Sequence, residues 1–407
     1  MILSDTSSIR CNGTHRWYCY LLRSPAIWAL LILTGLLAGL QSPAQAVPAF
    51  ARKYHMECEH CHSMVPRLNP FGYAFYRAGF RLPGPNKPMT LRNSADILTD
   101  ITAAHTNPGH SDTITDDTAD LRFSGTLSTH VTVNAIYEAS LRKGVSSNID
   151  ELWAQVNSAA TGTFWSFRVG QMPVLDGYNL LGTHNISLTD PQWMGPFGAL
   201  TGDNGNLSLG DLERGFQVGY TSGQFNTRFS LLYGIDAAGD ANNEPRFNDY
   251  LLQAEYFLDN DGSAIQAFGY LGRTPIDGAG FANNFQRGGI FGTWGHTLKK
   301  GKAGIPTMRL ELNGGFIWGE DQIAATGDRQ DSFGTVLEAD LYLHGRTAIF
   351  ARYDGVRLGN AAGTPTTDAG TVGISHRFTK FFKAELELRE QRAPYNATIL
   401  GGLGLYF

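Results

Sequence analysis

The chain has 407 residues, 42% of them hydrophobic, with 48 glycines and a formal net charge of −5. The acidic balance argues against nucleic acid as a partner, because a polyphosphate calls for a cationic surface. Four cysteines are too few for a disulfide scaffold, and the length suits either two or three ordinary domains or one long β-barrel.

Residues 1–46 read as a secretory signal. Arg10, Arg16 and Arg23 form a long basic region, Ala26 to Leu40 an apolar one, and Ala44-Gln45-Ala46 a small-x-small cleavage site before Val47. The apolar run is about 15 residues, short of the ~20 that a spanning helix needs, so cleavage is expected rather than a retained anchor. Cleavage removes Cys11 and Cys19, leaves Cys58 and Cys61, and takes the net charge to −7. No long apolar helix follows Val47, so any later membrane crossing falls to strands.

Cys58-Glu59-His60-Cys61-His62 has the spacing of a c-type haem attachment motif. In that reading Cys58 and Cys61 form thioethers to one covalent haem c, and His62 is the proximal ligand of the iron. The alternatives are a redox dithiol, a zinc site completed by His55 or His60, and a small disulfide. The dithiol reading lacks the βαβ context it calls for. The segment 47–92 is too small to build a core unaided. Phe71, Tyr73, Phe75, Tyr76 and Phe80 form an aromatic set suited to packing on a porphyrin or on a barrel wall. Met89 is the candidate sixth ligand, with His55, His60, His105 and His110 as rivals. Met64 is too close to His62 to cross the ring. Pro83, Pro85 and Pro88 read as a linker.

From residue 93 to 407 the pattern has period two. Met308-Arg309-Leu310-Glu311-Leu312-Asn313 and Lys383-Ala384-Glu385-Leu386-Glu387-Leu388-Arg389 alternate apolar with polar residues. The spacing predicts an all-β fold, an antiparallel transmembrane barrel of about 16 strands, the first at 93–105 and the last at 397–407. Long connections are expected at Asn107–Thr118, Pro173–Leu212 and Asp236–Asn248. Short ones alternate with them at Ser128-Thr129, Ser222-Gly223 and Leu258–Gly262, as periplasmic turns do. Leu403, Leu405 and Phe407 give the last strand a terminal aromatic. Trp153, Trp165, Trp294 and Trp318 are expected in an aromatic girdle. The expected outer loops are acidic (Asp112, Asp116, Asp117, Asp120; Asp236, Asp240, Glu244; Glu320, Asp321, Asp328, Asp331), either merely solvated or concentrating cations at a mouth. Pro173–Leu212, about 40 residues without clear period, is expected to fold inward over the haem or to stay a surface loop. Lys299, Lys300, Lys302 and Lys380 gather on inner turns, where they would meet an acidic carrier.

Phe50-Ala51-Arg52-Lys53, the Cys58–His62 motif, Pro66-x-Leu68-Asn69-x-Phe71-Gly72 and Phe80 together resemble the fused monohaem cytochrome–porins of the outer membrane. The best-known members of that family are the outer-membrane cytochromes of iron-oxidising bacteria. The resemblance covers Val47 to Arg81, and the barrel matches in architecture only. It implies a small cytochrome plugging a barrel in the outer membrane of a Gram-negative bacterium, surrounded by lipid. It implies an electron conduit from extracellular Fe(II), or another redox substrate, to a periplasmic electron carrier such as a cytochrome or copper protein. Cys58, Cys61 and His62 would hold the haem. Two other functions stay open: a porin for small solutes with a haem-bearing plug or redox gate, and a haem peroxidase-like enzyme.

Overall fold

The computed structural model describes residues 49–82, 90, 94–107, 111–140, 148–159, 162–178, 186–191, 209–210, 212–233, 247, 249–276, 281–301, 306–323, 329–358, 366–392 and 395–406. The expected signal segment, Met89 with its proline linker, His110, Asp236, Asp240, Glu244, Asp328, Lys302 and Phe407 lie outside the described residues.

A short N-terminal segment comes first. It comprises helix α1 (Ala49–Tyr54), a 3-10 turn (Cys58–His60), the two-stranded ladder β1 (His62–Met64) and β2 (Arg67–Leu68), and helix α2 (Pro70–Arg77). Then follow β3 (Ala95–Asn107), β4 (Ser111–Thr126), β5 (Val131–Ser140), β6 (Asn148–Asn157), β7 (Phe164–Pro173), β8 (Leu212–Ser222), β9 (Phe225–Leu232) and β10 (Asp249–Phe257). The chain ends with β11 (Ala264–Ile276), β12 (Phe281–Lys300), β13 (Pro306–Ile323), β14 (Arg329–Leu343), β15 (Thr347–Leu358), β16 (Thr366–Arg377), β17 (Phe382–Gln391) and β18 (Asn396–Tyr406).

Strands β3 to β18 pair with their sequence neighbours, all antiparallel, and β18 returns to β3 with Ala397 opposite Asn107 and Tyr406 opposite Leu98. The result is a closed 16-stranded barrel. Alternation decides which face is which. Along β10, Asp249, Gln253 and Glu255 point inward and are buried, while Leu252 and Tyr256 point outward and are about half exposed. A polar lumen inside an apolar exterior inverts the pattern of a soluble sandwich. It is the pattern of a barrel whose outer face meets lipid and whose closed ladder leaves no unpaired edge.

All the expected strands are present, with two differences of note. β4 begins at Ser111, where a loop was expected to run to Thr118. Ser111 to Thr118 looks like a loop by composition, but it pairs with Asp100–Thr106 and is held as strand by its partner. The acidic run Asp112, Asp116 and Asp117 is thus part of the wall, and the connection is only residues 108–110. Glu320, Asp321 and Asp331 likewise lie on β13 and β14, with Asp321 buried 2.8 Å from Arg287. The second difference concerns Trp153. Trp165, Trp294 and Trp318 face outward as a girdle requires, but Trp153 shares the inward parity of Glu151 and Gln155 and is 2% exposed.

The β7–β8 connection folds inward. Near its start, Asp176 and Tyr178 donate backbone N–H groups to Gln253 and Glu255 of β10. Further on, Ser187 and Leu188 bond the Glu387 carboxylate of β17 at 2.7 and 2.8 Å, and Arg352 of β15 donates to the Thr189 carbonyl. β10 and β17 stand nearly opposite each other in the ring, so the connection straps the lumen from wall to wall. Val174, Leu175 and Leu209 pack against inward-facing Leu251, Phe268 and Phe291, which makes an apolar core inside the barrel.

Candidate cofactor site

The turn carrying the cysteines is shaped by α2. Asn69 caps that helix: its side-chain oxygen accepts from Gly72 N at 2.9 Å, and Pro70 supplies a preset first helical residue. The same side chain reaches back with its amide to the carbonyls of Glu59 and His60, at 3.3 and 3.0 Å, while its backbone N–H donates to the Cys61 carbonyl. Gly72 lies so close beneath that carbonyl that a Cβ there would overlap it. The Pro66-x-Leu68-Asn69-x-Phe71-Gly72 pattern therefore has a physical reading. It clamps the turn bearing Cys58 and Cys61 onto the first turn of α2.

The segment is seated in the mouth at the end of the barrel where the turns are short. Tyr73 and Tyr76, one helical turn apart, point from α2 to the wall and strap. The Tyr73 hydroxyl donates to Glu255 at 2.6 Å, and the Tyr76 hydroxyl to Asp176 at 2.7 Å. Arg67, fully buried, lies 2.6 Å from Glu338 and 3.1 Å from Asp340. Arg81 donates to the carbonyls of Thr129 and His130 in the β4–β5 turn, Arg377 pairs with Glu59, and Lys380 meets Glu57 at 3.0 Å. Met64 is fully buried, in a cluster with Ile186 of the strap and Phe350 of the wall.

A cavity of about 730 Å³ lies between this segment, the strap and the wall formed by β17, β18 and β3 to β6. Cys58, Cys61 and His62 all line it, together with Phe71, Phe75 and Phe80. The size falls within the range of pockets that take cofactor-sized ligands. His62 Nδ1 lies 3.1 Å from the Pro66 carbonyl. A carbonyl only accepts, so this bond fixes the tautomer with the proton on Nδ1 and the lone pair on Nε2, the arrangement found in ligating histidines. Both cysteines are thiols. Burial, and then the neighbouring Cys58, pushes Cys61 up to about 11. Among the described residues no three His, Cys, Asp or Glu side chains converge as a metal cluster would require, so zinc has no such ligand set there. Two thiols and an oriented imidazole on the wall of one apolar-sided cavity fit a covalently attached haem.

The structure adds to the expected aromatic set. Phe50 stacks on Phe80 at 4.6 Å between ring centroids, Tyr54 stands edge-on to Phe75 at 5.5 Å, and Trp153 stacks on Phe80 at 6.0 Å. Tyr73 instead packs against Tyr178 and Phe257, away from the cavity lining. The rivals for the sixth position are dispersed. His55 is exposed, His60 Nδ1 is buried with no hydrogen-bond partner, and His105 lies on β3 beyond the last β3 residue that lines the cavity. The candidates Met89 and His110 are outside the described residues. Sequence reasoning missed the role of Asn69 and the bare inner face of β18, where Gly402 lines the cavity. Inward parity on a glycine-rich strand was the available signal.

No protein-family model matches the chain, and no curated protein matches it. Solved structures do match. The chain is similar to an anion-selective porin from Comamonas acidovorans, at 14% identity and a TM-score of 0.56, covering 77% of this chain and 99% of that one. It is similar to the outer-membrane protein OmpT of Vibrio cholerae, at 12% identity and a TM-score of 0.55, covering 79% and 100%. It is also similar to Salmonella typhi OmpF in complex with daunomycin, at 13% identity and a TM-score of 0.54, covering 77% and 97%. At these identities the likeness is one of fold, that of a 16-stranded porin-like barrel.

Proposed function

We propose that this chain is an outer-membrane barrel that carries one covalent haem c in its lumen. It conducts electrons between an extracellular donor, Fe(II) foremost, and a periplasmic electron carrier such as a cytochrome or copper protein. Residues 1–46 are its cleaved signal, 47–92 its haem-bearing segment and 93–407 its barrel. The observation that carries this reading is the convergence of Cys58, Cys61 and His62 on one cavity inside the barrel. When bound, the haem would supply a one-electron iron couple. The chain's own residues do the rest. Cys58 and Cys61 would attach the group, His62 would ligate its iron, and Met89 is the candidate for a second ligand. The Asn69 clamp fixes the turn, and the barrel wall keeps lipid away. The hydrocarbon layer of about 30 Å is the barrier that such a protein bridges.

The test is a haem-stained gel and a reduced-minus-oxidised spectrum on outer-membrane fractions from cells with a c-type haem maturation system, followed by addition of Fe(II). A covalent haem band in the barrel, reduced by Fe(II), is the expected result. Haem indifferent to Fe(II) removes iron as donor. A chain without covalent haem refutes the reading.

The porin-like fold favours a second reading, a channel for small solutes with the N-terminal segment as plug or redox gate. Solute flux separates the two, since a channel keeps its flux in Cys58→Ser and His62→Ala variants while electron flow stops.

A further inference from the structure

We propose that Lys383 of β17 and Arg122 of β4 bind the two propionate carboxylates of the haem, an assignment that rests on the haem reading above. β18 turns Gly402 and Gly404 inward between them; a Cβ at 402 would lie 2.6 Å from Leu188, and one at 404 would lie 2.7 Å from Asp100 Oδ1. Glycine at these two positions thus makes room for the Leu188 side chain and the Asp100 carboxylate, both of which line the cavity at this wall.

Charge then sets the orientation. Asp96, Asp100, Asp150, Glu151, Asp176 and Glu385 line the cavity, while Arg122 and Lys383 are the cations among its described lining residues. A haem joined through two thioethers has its vinyl-derived edge at Cys58 and Cys61, and its two carboxylates leave from the opposite edge. Asp96 and Asp176 already pair with Arg52 and Arg168, which stand outside the lining, and among the carboxylates that remain two entering anions are favoured beside Arg122 and Lys383. Both cations have donors to offer. Arg122 spends Nε and Nη2 on Asp120 Oδ2, at 3.3 and 2.8 Å, and keeps Nη1. Lys383 Nζ contacts Glu385 at 2.9 Å, and an ammonium has three donors. Two-fifths of the Arg122 side chain is accessible although it points inward from the wall, as expected of a group that faces a cavity. Arg122 and Lys383 stand on either side of the β18–β3 pair, so they bracket the glycine wall.

The experiment uses the full chain matured with haem, comparing Arg122→Gln, Lys383→Gln and their combination with the parent and with Lys299→Gln, an exposed cation outside the cavity lining. Covalent haem is read by haem stain, barrel folding by gel migration before and after heating, and the midpoint potential by spectroscopic titration. Ferric haem carries one more positive charge than ferrous haem, so losing a nearby cation favours the oxidised form. The expected result is retained haem with a lowered midpoint in each single variant, lowest in the pair, and a parental midpoint in Arg122→Lys and Lys299→Gln. Attached haem with a parental midpoint in both single variants overturns this assignment and leaves the haem reading intact. A parent without covalent haem overturns both. If the pair does not fold, the two single variants against Arg122→Lys decide.

Discussion

At the scale of single residues, the contacts around Cys61 carry the sharpest expectations. Gly72→Ala drives a methyl into the Cys61 carbonyl, a backbone atom with little room to yield, so covalent haem yield should fall steeply on a stained gel. Ala74→Ser, on the exposed face of the same helix, should leave it unchanged. Asn69→Ala removes the cap and two further bonds to the turn. A lost N-cap costs about 1 kcal/mol, so the segment should become protease-sensitive at a lower temperature while the barrel stays resistant. Cys58, Cys61 and His62 stand out in the sequence because the spacing matches what thioether attachment calls for, and the structure sets all three on one cavity. Asn69 and Gly72 were visible as letters without a role, since the contacts that give them one close only once α2 folds back on the turn. Trp153 was misplaced because a girdle and a lumen face differ only by parity, and soft strand boundaries blur parity.

At the scale of elements, the N-terminal segment is held by the barrel as much as by itself. Arg67 is the deepest anchor, and its removal leaves Glu338 and Asp340 buried beside one another. Breaking such a buried pair from one side costs about 3–5 kcal/mol. Arg67→Ala should therefore loosen the segment in limited proteolysis while the barrel band on an unheated gel persists. Strands were readable because alternation is a direct record of which face meets lipid. The strap was legible only as a choice between folding inward and staying on the surface, because its residues answer to Gln253, Glu255 and Glu387 on the walls rather than to any period of their own.

At the scale of the whole molecule, segment and strap together occupy much of what an open porin leaves to water. In planar bilayers the full chain should conduct far less than open barrels of equal strand number. Releasing the strap with Ser187→Ala and Glu387→Ala, which removes the bonds at 2.7 and 2.8 Å, should raise conductance; a parental conductance would show that the strap does not limit flow. The fold class could be read from the sequence because a closed barrel repeats one simple rule along its strands, whereas the contents of its lumen follow no repeat.

The seam at which the ring closes has a consequence in time. Closure joins β18 to β3, the last and first strands of the barrel, and Gly402, Tyr406, Leu98 and Asp100 beside that seam are also walls of the cavity. Until the C-terminal strand arrives, the chamber stands open on that flank; afterwards it is walled in. On the haem reading proposed above, a group that arrives before closure has that flank as a way in, and one that arrives later has only the mouth.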